Sequence, residues 1–323
     1  MSFKDIPKIE LHLHLDGSVR PETIADMLKI DINKVKEETI AKEKCSDLND
    51  YLTKFELPIK AMQTKENLKR ITHELISDLK DENVIYAEIR FAPIKHIENL
   101  TLEEVVEAVT QGLKNEDVKT NLILCMMRDS SYEENLKIVE LAKKYLNKGV
   151  VGLDLAGAEA LYKTKTFEQL FKKASKEQIP FTIHAGEADG PSSINDAISF
   201  KASRIGHGIR AIEDEKTIKK IITENILLEI CPTSNVQTNA VKTYENHPIK
   251  KLFDLGCKVS INTDNRTVSN VTLTKEYELL NKYLNFSLDE IIKIDLETIK
   301  HTFLSEKEKQ ELTSLYLDKI RIK

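Results

Sequence analysis

Residues 8 to 15 read KIELHLHL, and the chain runs on through DGS to residue 18. Successive side chains of a strand point to opposite faces, so Leu11, Leu13 and Leu15 share one face while His12, His14 and Asp16 share the other. The same parity sends Glu10 inward below the histidines, without an evident partner. Two imidazoles at every second position of an otherwise leucine-rich strand need a reason. The rest of the chain supplies one.

Seven further short apolar, β-branched runs follow: VIYAEIRFAP (84 to 93), TNLILCMM (120 to 127), VVGLDLAG (150 to 157), FTIHAGE (181 to 187), SRIGHG (203 to 208), ILLEICP (226 to 232) and KVSINTD (258 to 264). Between them lie amphipathic stretches such as LTLEEVVEAVTQGLK, in which Val105, Val106, Val109 and Leu113 recur at helical spacing, and SYEENLKIVELAKKYLNKG, with Leu136, Val139 and Leu146. Strand then helix, eight times over, predicts an α/β fold, a closed (β/α)8 barrel. A doubly wound open sheet is the alternative, but no glycine-rich phosphate loop follows any strand. The interval of about residues 18 to 83 is too long for one crossover and predicts several helices, beginning at Arg20-Pro21-Glu22. Being the largest excursion on that rim, it is the expected lid. Helices near 273 to 285, 287 to 300 and 305 to 319 are expected after the last strand.

The bulk numbers fit one barrel domain over residues 1 to 323. With 41% hydrophobic and 31% charged residues the chain can bury a large core. Its 48 basic and 53 acidic residues leave a formal charge of −5, which offers no attraction to nucleic acid or an anionic membrane. The partner expected is a small molecule, and the chain is expected to be monomeric or weakly self-associating. No signal peptide or membrane span is evident, so a cytoplasmic location is expected. Cys45, Cys125, Cys231 and Cys257 are widely separated and form no CxxC, which suits reduced, buried thiols and not disulfides or metal ligands. The lysine-rich runs KVKEETIAKEK and FKKASKEQ read as solvated helix faces.

Catalytic groups of a (β/α)8 barrel gather at the C-terminal ends of its strands. His12 and His14 lie there on the first strand, Asp154 and Gly157 on the fourth, His184 and Glu187 on the fifth, His207 on the sixth and Asp264 on the eighth. Singly, each has a plain structural reading, and His73, His96, His247 and His301 keep it. Together they point to a metal centre. Imidazole and carboxylate suit a borderline cation such as zinc. HxH on a strand directs both rings inward, and His184 and Asp264 could complete the shell with one position left for a water whose pKa falls towards about 7.

With these residues assembled, the chain closely resembles the adenosine deaminases of the amidohydrolase superfamily. The likeness is carried by KIELHLHLDGSVRPET, RFAP, GLDLAGAE, HAGE, IGHG, CPTSN and INTDNRTVSN, in the family's order. HAGE with GHG and a downstream TD is far more specific than HxH alone. The resemblance implies one zinc ion held by His12, His14, His184 and Asp264. It implies that Glu187 protonates purine N1, that His207 orients or deprotonates the attacking water, and that Asp264 assists. For the substrate it implies contacts from His14, from Asp16 to a ribose hydroxyl, from the Gly157 N–H to N3 and from position 265 to N7, with Ser234 lining the pocket.

Many relatives carry a second aspartate where this chain has Asn265, whose amide donates a hydrogen bond at any pH. The cytidine-type zinc deaminases, which use HxE and PCxxC, are not matched. The expected activity is hydrolytic deamination of adenosine and 2′-deoxyadenosine in purine salvage. Adenine, an N6-modified adenosine nucleotide or a futalosine-type nucleoside is the alternative substrate. A non-catalytic nucleoside-binding relative would have lost a ligand or the acid, and none is missing.

Overall fold

A computed structural model describes residues 2–114 and 118–321. The eight strands are β1 (Lys8–His14), β2 (Val84–Phe91), β3 (Lys119–Met127), β4 (Val150–Ala156), β5 (Thr182–Ala185), β6 (Arg204–His207), β7 (Leu227–Ile230) and β8 (Lys258–Ile261). They pair in parallel in two sets, β1-β2-β3-β4 and β5-β6-β7-β8. The sets are joined at Leu153↔Phe181 and at Leu13↔Asp264. At the second seam Asp264 N donates to His12 O (2.9 Å) and His14 N donates to Asp264 O (2.7 Å). The sheet therefore closes on itself and the open-sheet alternative falls. β5 to β8 are shorter than the apolar runs suggest; Gly186 (φ 74°) follows β5, His207 (φ 60°) and Gly208 (φ 67°) end β6, and Asp264 (φ 60°) lies past β8, each turning the chain at the rim.

Between β1 and β2 run α1 (Pro21–Leu28), α2 (Ile32–Thr39), α3 (Leu48–Leu52), α4 (Glu56–Ala61) and α5 (Lys65–Asp81). The crossovers that follow carry α6 (Leu102–Gly112), α7 (Tyr132–Tyr145), α8 (Glu168–Lys176), α9 (Pro191–Ser199), α10 (Glu215–Thr223), α11 (Pro232–Gln237) and α12 (Ile249–Asp254). After β8 come α13 (Leu273–Leu284), α14 (Leu288–Lys300) and α15 (Glu306–Arg321). Several starts are written locally: Thr101 with Glu104, Ser131 with Glu134 and Ser287 with Glu290 each form a reciprocal capping box that satisfies amides a helix start leaves open. Pro21 opens α1 as the sequence suggests.

Two expectations need correction. Leu146 does not continue α7; its backbone is extended (ψ 130°) and bridges Val150, so the helix ends at Tyr145. The run KVKEETIAKEK is helical only to Thr39. Beyond it Ala41 N donates to Val268 O and Cys45 N to Gln237 O, so this stretch spends its backbone donors on the barrel mouth.

The core fills the layer between strands and helices, with a smaller cluster of Ile9, Leu11, Ile85, Tyr86, Leu227, Ile299, Leu304, Leu312 and Tyr316 where α14 and α15 cover the far end of the barrel. There Asp295 accepts from Tyr277 Oη (2.7 Å) and Tyr316 Oη (2.9 Å). The four cysteines are buried and free. Among the described residues no helix is long and apolar enough to cross a membrane.

Candidate active site

A cavity of about 280 Å³ opens at the C-terminal ends of the strands. Barrel residues His14, Asp16, Gly157, His184, Glu187, His207, Asp264 and Asn265 line it, as do Leu48, Tyr51, Leu52, Phe55 and Ile59 from the insertion between β1 and β2. His12 sits fully buried just beneath. Ser234 is not part of this wall; it is buried, with a hydroxyl that has no hydrogen-bond partner.

Ligand atoms of His12, His14, His184 and Asp264 all lie within 4.8 Å of one another. Nε2 of His14 and Nε2 of His184 are 3.3 Å apart, and Nε2 of His12 and of His14 each lie 3.4 Å from Asp264 Oδ1. Two ring nitrogens aimed at each other are a poor hydrogen bond. They are a good pair of metal ligands: a tetrahedral zinc with bonds of about 2.0–2.2 Å sets its ligand atoms roughly 3.3–3.5 Å apart. His12 Nε2 is buried without a hydrogen-bond partner. Burial pushes the His12 pKa down to about 4 and that of His14 well below its usual value, so both rings are neutral, as ligation requires. Cys231 belongs to a second grouping with His12, His207 and Asp264, but burial holds its thiol well above the usual range and protonated.

The opposite ring nitrogens are held by carboxylates. His12 Nδ1 lies 2.9 Å from Glu229 Oε2, and His184 Nδ1 lies 2.8 Å from Asp154 Oδ2. Arg90 bridges the two, at 2.9 Å to Asp154 and 2.8 Å to Glu229. Arg204 joins Glu229 (2.6 Å) to Glu88 (2.6 Å) and stacks 3.8 Å from the Phe303 ring centroid. Such partners fix ring orientation and raise ligand basicity. All five members of this network are fully buried. Two guanidinium groups meet three carboxylates, Glu88, Asp154 and Glu229, while Asp264 faces the rings of His12 and His14. Glu10 stays outside that count, because burial raises its pKa to about 8; it accepts from Thr263 N (2.9 Å) and Thr263 Oγ1 (3.1 Å).

Glu187 lies just past β5, and burial raises its pKa, favouring the neutral acid. Its Oε1 accepts from Asn235 Nδ2 (3.3 Å) and Thr238 Oγ1 (3.1 Å), and its Oε2 is 3.6 Å from His207 Nε2. Asn235 Nδ2 also lies 3.0 Å from His207 Nδ1, and His247 Nε2 lies 3.3 Å from Asn235 Oδ1. His247, read from sequence as plainly structural, thus supports this pair through Asn235. Asn235 and Thr238 were not singled out by sequence reasoning; CPTSN flags Asn235 only as part of a motif. His207 and Asp264 both hold left-handed backbone, the type of strain that collects at functional sites.

Asp16 is buried with its pKa raised to about 7, and its Oδ1 accepts from Gly17 N (3.1 Å). Gly157 reaches the wall with φ +104°, a conformation that favours glycine. Asn265 lines the cavity with Oδ1 unpartnered, and it presses on Gly17 so closely that a Cβ there would come within 1.9 Å of that oxygen. At the mouth Lys95 pairs with Asp129 at 2.9 Å.

The chain is similar to known proteins over nearly its whole length. An adenosine deaminase of Clostridium acetobutylicum is 44% identical over 322 residues, covering 95% of this chain and 96% of that protein. An N6-methyl-AMP deaminase from Arabidopsis thaliana superposes with a TM-score of 0.88 at 28% identity, covering 98% of this chain and 97% of that one. A zinc-bound amidohydrolase from Burkholderia ambifaria shares the fold, with a TM-score of 0.90 at 20% identity over 99% of this chain and 92% of that one. The sequence model of the adenosine deaminase family matches residues 7–319, and the chain belongs to that family.

Proposed function

We propose that the protein hydrolyses adenosine and 2′-deoxyadenosine to inosine or 2′-deoxyinosine and ammonia, with one zinc ion per chain held by His12, His14, His184 and Asp264. The observation that carries this reading is the convergence of those four ligand atoms beside a buried carboxylic acid, Glu187, in one cavity of nucleoside size. Bound there, zinc supplies a water of lowered pKa.

The chain's own groups do the rest. Attack at C6 of an aromatic 6-aminopurine would build negative charge on the ring unless N1 is protonated, and the neutral carboxyl of Glu187 supplies that proton. His207 orients the attacking water and takes its proton, with Asp264 assisting. Asp16 receives a ribose hydroxyl, the Gly157 N–H meets N3, and the Asn265 amide donates to N7. His14 borders the substrate as well as binding metal. The helices between β1 and β2, which bring Leu48, Tyr51, Leu52 and Phe55 over the opening, act as the lid that keeps the reacting centre dry. The whole chain acts as one catalytic domain, a monomer or weak homo-oligomer serving purine salvage in the cytoplasm.

A nucleotide substrate, as in the Arabidopsis relative, is disfavoured by charge. No arginine lines the cavity among the described residues, and its one lysine, Lys95, is already paired with Asp129 and close to Asp16. Rates of ammonia release on adenosine, 2′-deoxyadenosine, adenine, AMP and N6-methyl-AMP, with zinc analysis of the purified protein, test the reading. A preference for adenine or a nucleotide, or metal-independent turnover, would refute it.

A further inference from the structure

Glu159 stands in the loop after β4, about 1% exposed, with no Lys, Arg or His side chain within ion-pairing distance among the described residues. Its charge is met by the backbone. Oε1 accepts from Gly186 N (2.6 Å), and Oε2 accepts from Glu187 N (3.0 Å), Ala188 N (2.7 Å) and Asp189 N (3.0 Å). Ser193 Oγ donates to Oε1 at 2.6 Å. One carboxylate thus takes the amides of four consecutive residues, those of the bend that carries Glu187. Beyond the end of β5 these amides have no ladder to join, and without an acceptor they would leave the bend free to rearrange.

The carboxylate is itself held. Ser193 Oγ lies 2.7 Å from Thr164 Oγ1, which accepts from Arg128 Nη2 at 2.9 Å. The same Arg128 nitrogen donates to His184 O at 2.7 Å. Ser193 from α9 thus holds the anion, Thr164 and Arg128 stand behind Ser193 in a chain of hydrogen bonds, and the anion grips one bend.

We propose that Glu159 is a positioning residue for Glu187, fixing the main chain of residues 186 to 189 so that the Glu187 carboxyl meets purine N1. This rests on the assignment of Glu187 as the N1 acid. Glutamine at 159 keeps the shape but offers one acceptor oxygen, and turns an NH2 group towards amides that can only donate. The bend then shifts while the metal ligands stay in place. An error of about 1 Å at a reacting group costs on the order of 100-fold in rate.

The test compares E159Q with the unaltered holoenzyme. Zinc per chain should be unchanged, kcat on adenosine should fall about 100-fold, and KM should stay within about threefold of its original value. A purely structural defect is separated by two ligands: purine riboside, which offers N1 to Glu187, and 1-deazaadenosine, which lacks that nitrogen. E159Q should weaken purine riboside about tenfold and leave 1-deazaadenosine within about twofold, a tenfold loss being the size of one hydrogen bond. E159D, which keeps the charge on a shorter arm, should recover part of the loss. S193A, which removes a single bond to the carboxylate, should show a smaller loss of the same selective kind, and it carries the test if E159Q does not fold. Equal loss on both ligands, or no loss on either, overturns the proposal. If E187Q itself fails to change the ratio of the two affinities, the acid assignment falls and the proposal falls with it.

Discussion

Replacing Glu229 with glutamine should cost both stability and metal affinity, by amounts the structure sets. Glu229 Oε1 accepts from Arg204 Nε at 2.6 Å, while Oε2 accepts from Arg90 Nη2 at 2.8 Å and from the His12 ring at 2.9 Å. An amide has one acceptor oxygen, so whichever way it turns, its NH2 group meets a donor. Breaking a buried ion pair costs about 3–5 kcal/mol. Arg90 keeps Asp154 and Arg204 keeps Glu88, which places the loss at the lower end, about 3 kcal/mol. With an unfolding entropy of roughly 2.1 cal/mol/K per residue, a chain of 323 residues should then melt about 4 °C lower. The assay is calorimetry on chelator-treated protein, since a bound ion would add its own binding energy to the folded state. Zinc affinity, read by competition with a chromophoric chelator, should weaken about 10–100-fold because His12 loses its anionic partner. Glu88→Gln is the control: Glu88 touches Arg204, Tyr86 and Phe303 N but no histidine, so it should lower the melting temperature and spare the affinity. A Glu229→Gln chain that melts within 1 °C of the original, at about its original zinc affinity, would show that the network does not carry this role.

Glu187→Gln should abolish turnover with zinc retained; measurable deamination by the metal-loaded variant would refute its role as acid. Gly17→Ala should push Asn265 aside, main chain included, since the new Cβ would fall 1.9 Å from its Oδ1 and 2.7 Å from its Cβ. The loss of about one hydrogen bond should raise KM for adenosine at least about five-fold and weaken binding of 7-deazaadenosine, which lacks N7, by less. A third expectation concerns the rise from acid to neutral pH. Burial raises the Asp295 pKa to about 7 and that of Glu276 to about 8, so the folded state disfavours their ionised forms. Their contribution is complete below the unfolded values of about 4 and is lost as pH rises to about 7 and about 8, so the melting temperature should fall from about pH 4 to about pH 8 and level off above it. Asp295→Asn should flatten that fall; an unchanged slope would count against it.

Strands buried on both faces leave a continuous apolar signature, which is why all eight runs and their order can be read from the sequence, along with the crossover helices. The histidines stand out for the same reason, as polar residues at the ends of apolar runs. The groups behind them do not. Arg90 in VIYAEIRF and Glu229 in LLEI look like interruptions of a strand, and their meaning lies in partners on other strands, Asp154 and His12. Glu10 is the extreme case: its partner, Thr263, is 253 residues away. Glu159 is visible in GLDLAGAE, but nothing local says that its carboxylate caps a bend beyond the next strand. The terminus of α7 is not legible in the sequence, because Leu146 keeps helical spacing while its backbone pairs with Val150.

The seam between β1 and β8 has a further consequence. Asp264 closes the barrel through its main chain, bonding His12 and His14, and its side chain stands with His12, His14 and His184 in a group that could hold a metal ion. A chain leaving the ribosome carries both histidines from the outset, yet it cannot assemble the proposed four-ligand set until residue 264 has emerged. On that ligand set, nascent or truncated fragments should bind zinc poorly, and metal capture should be a late event, reserved for chains whose first and last strands have already met.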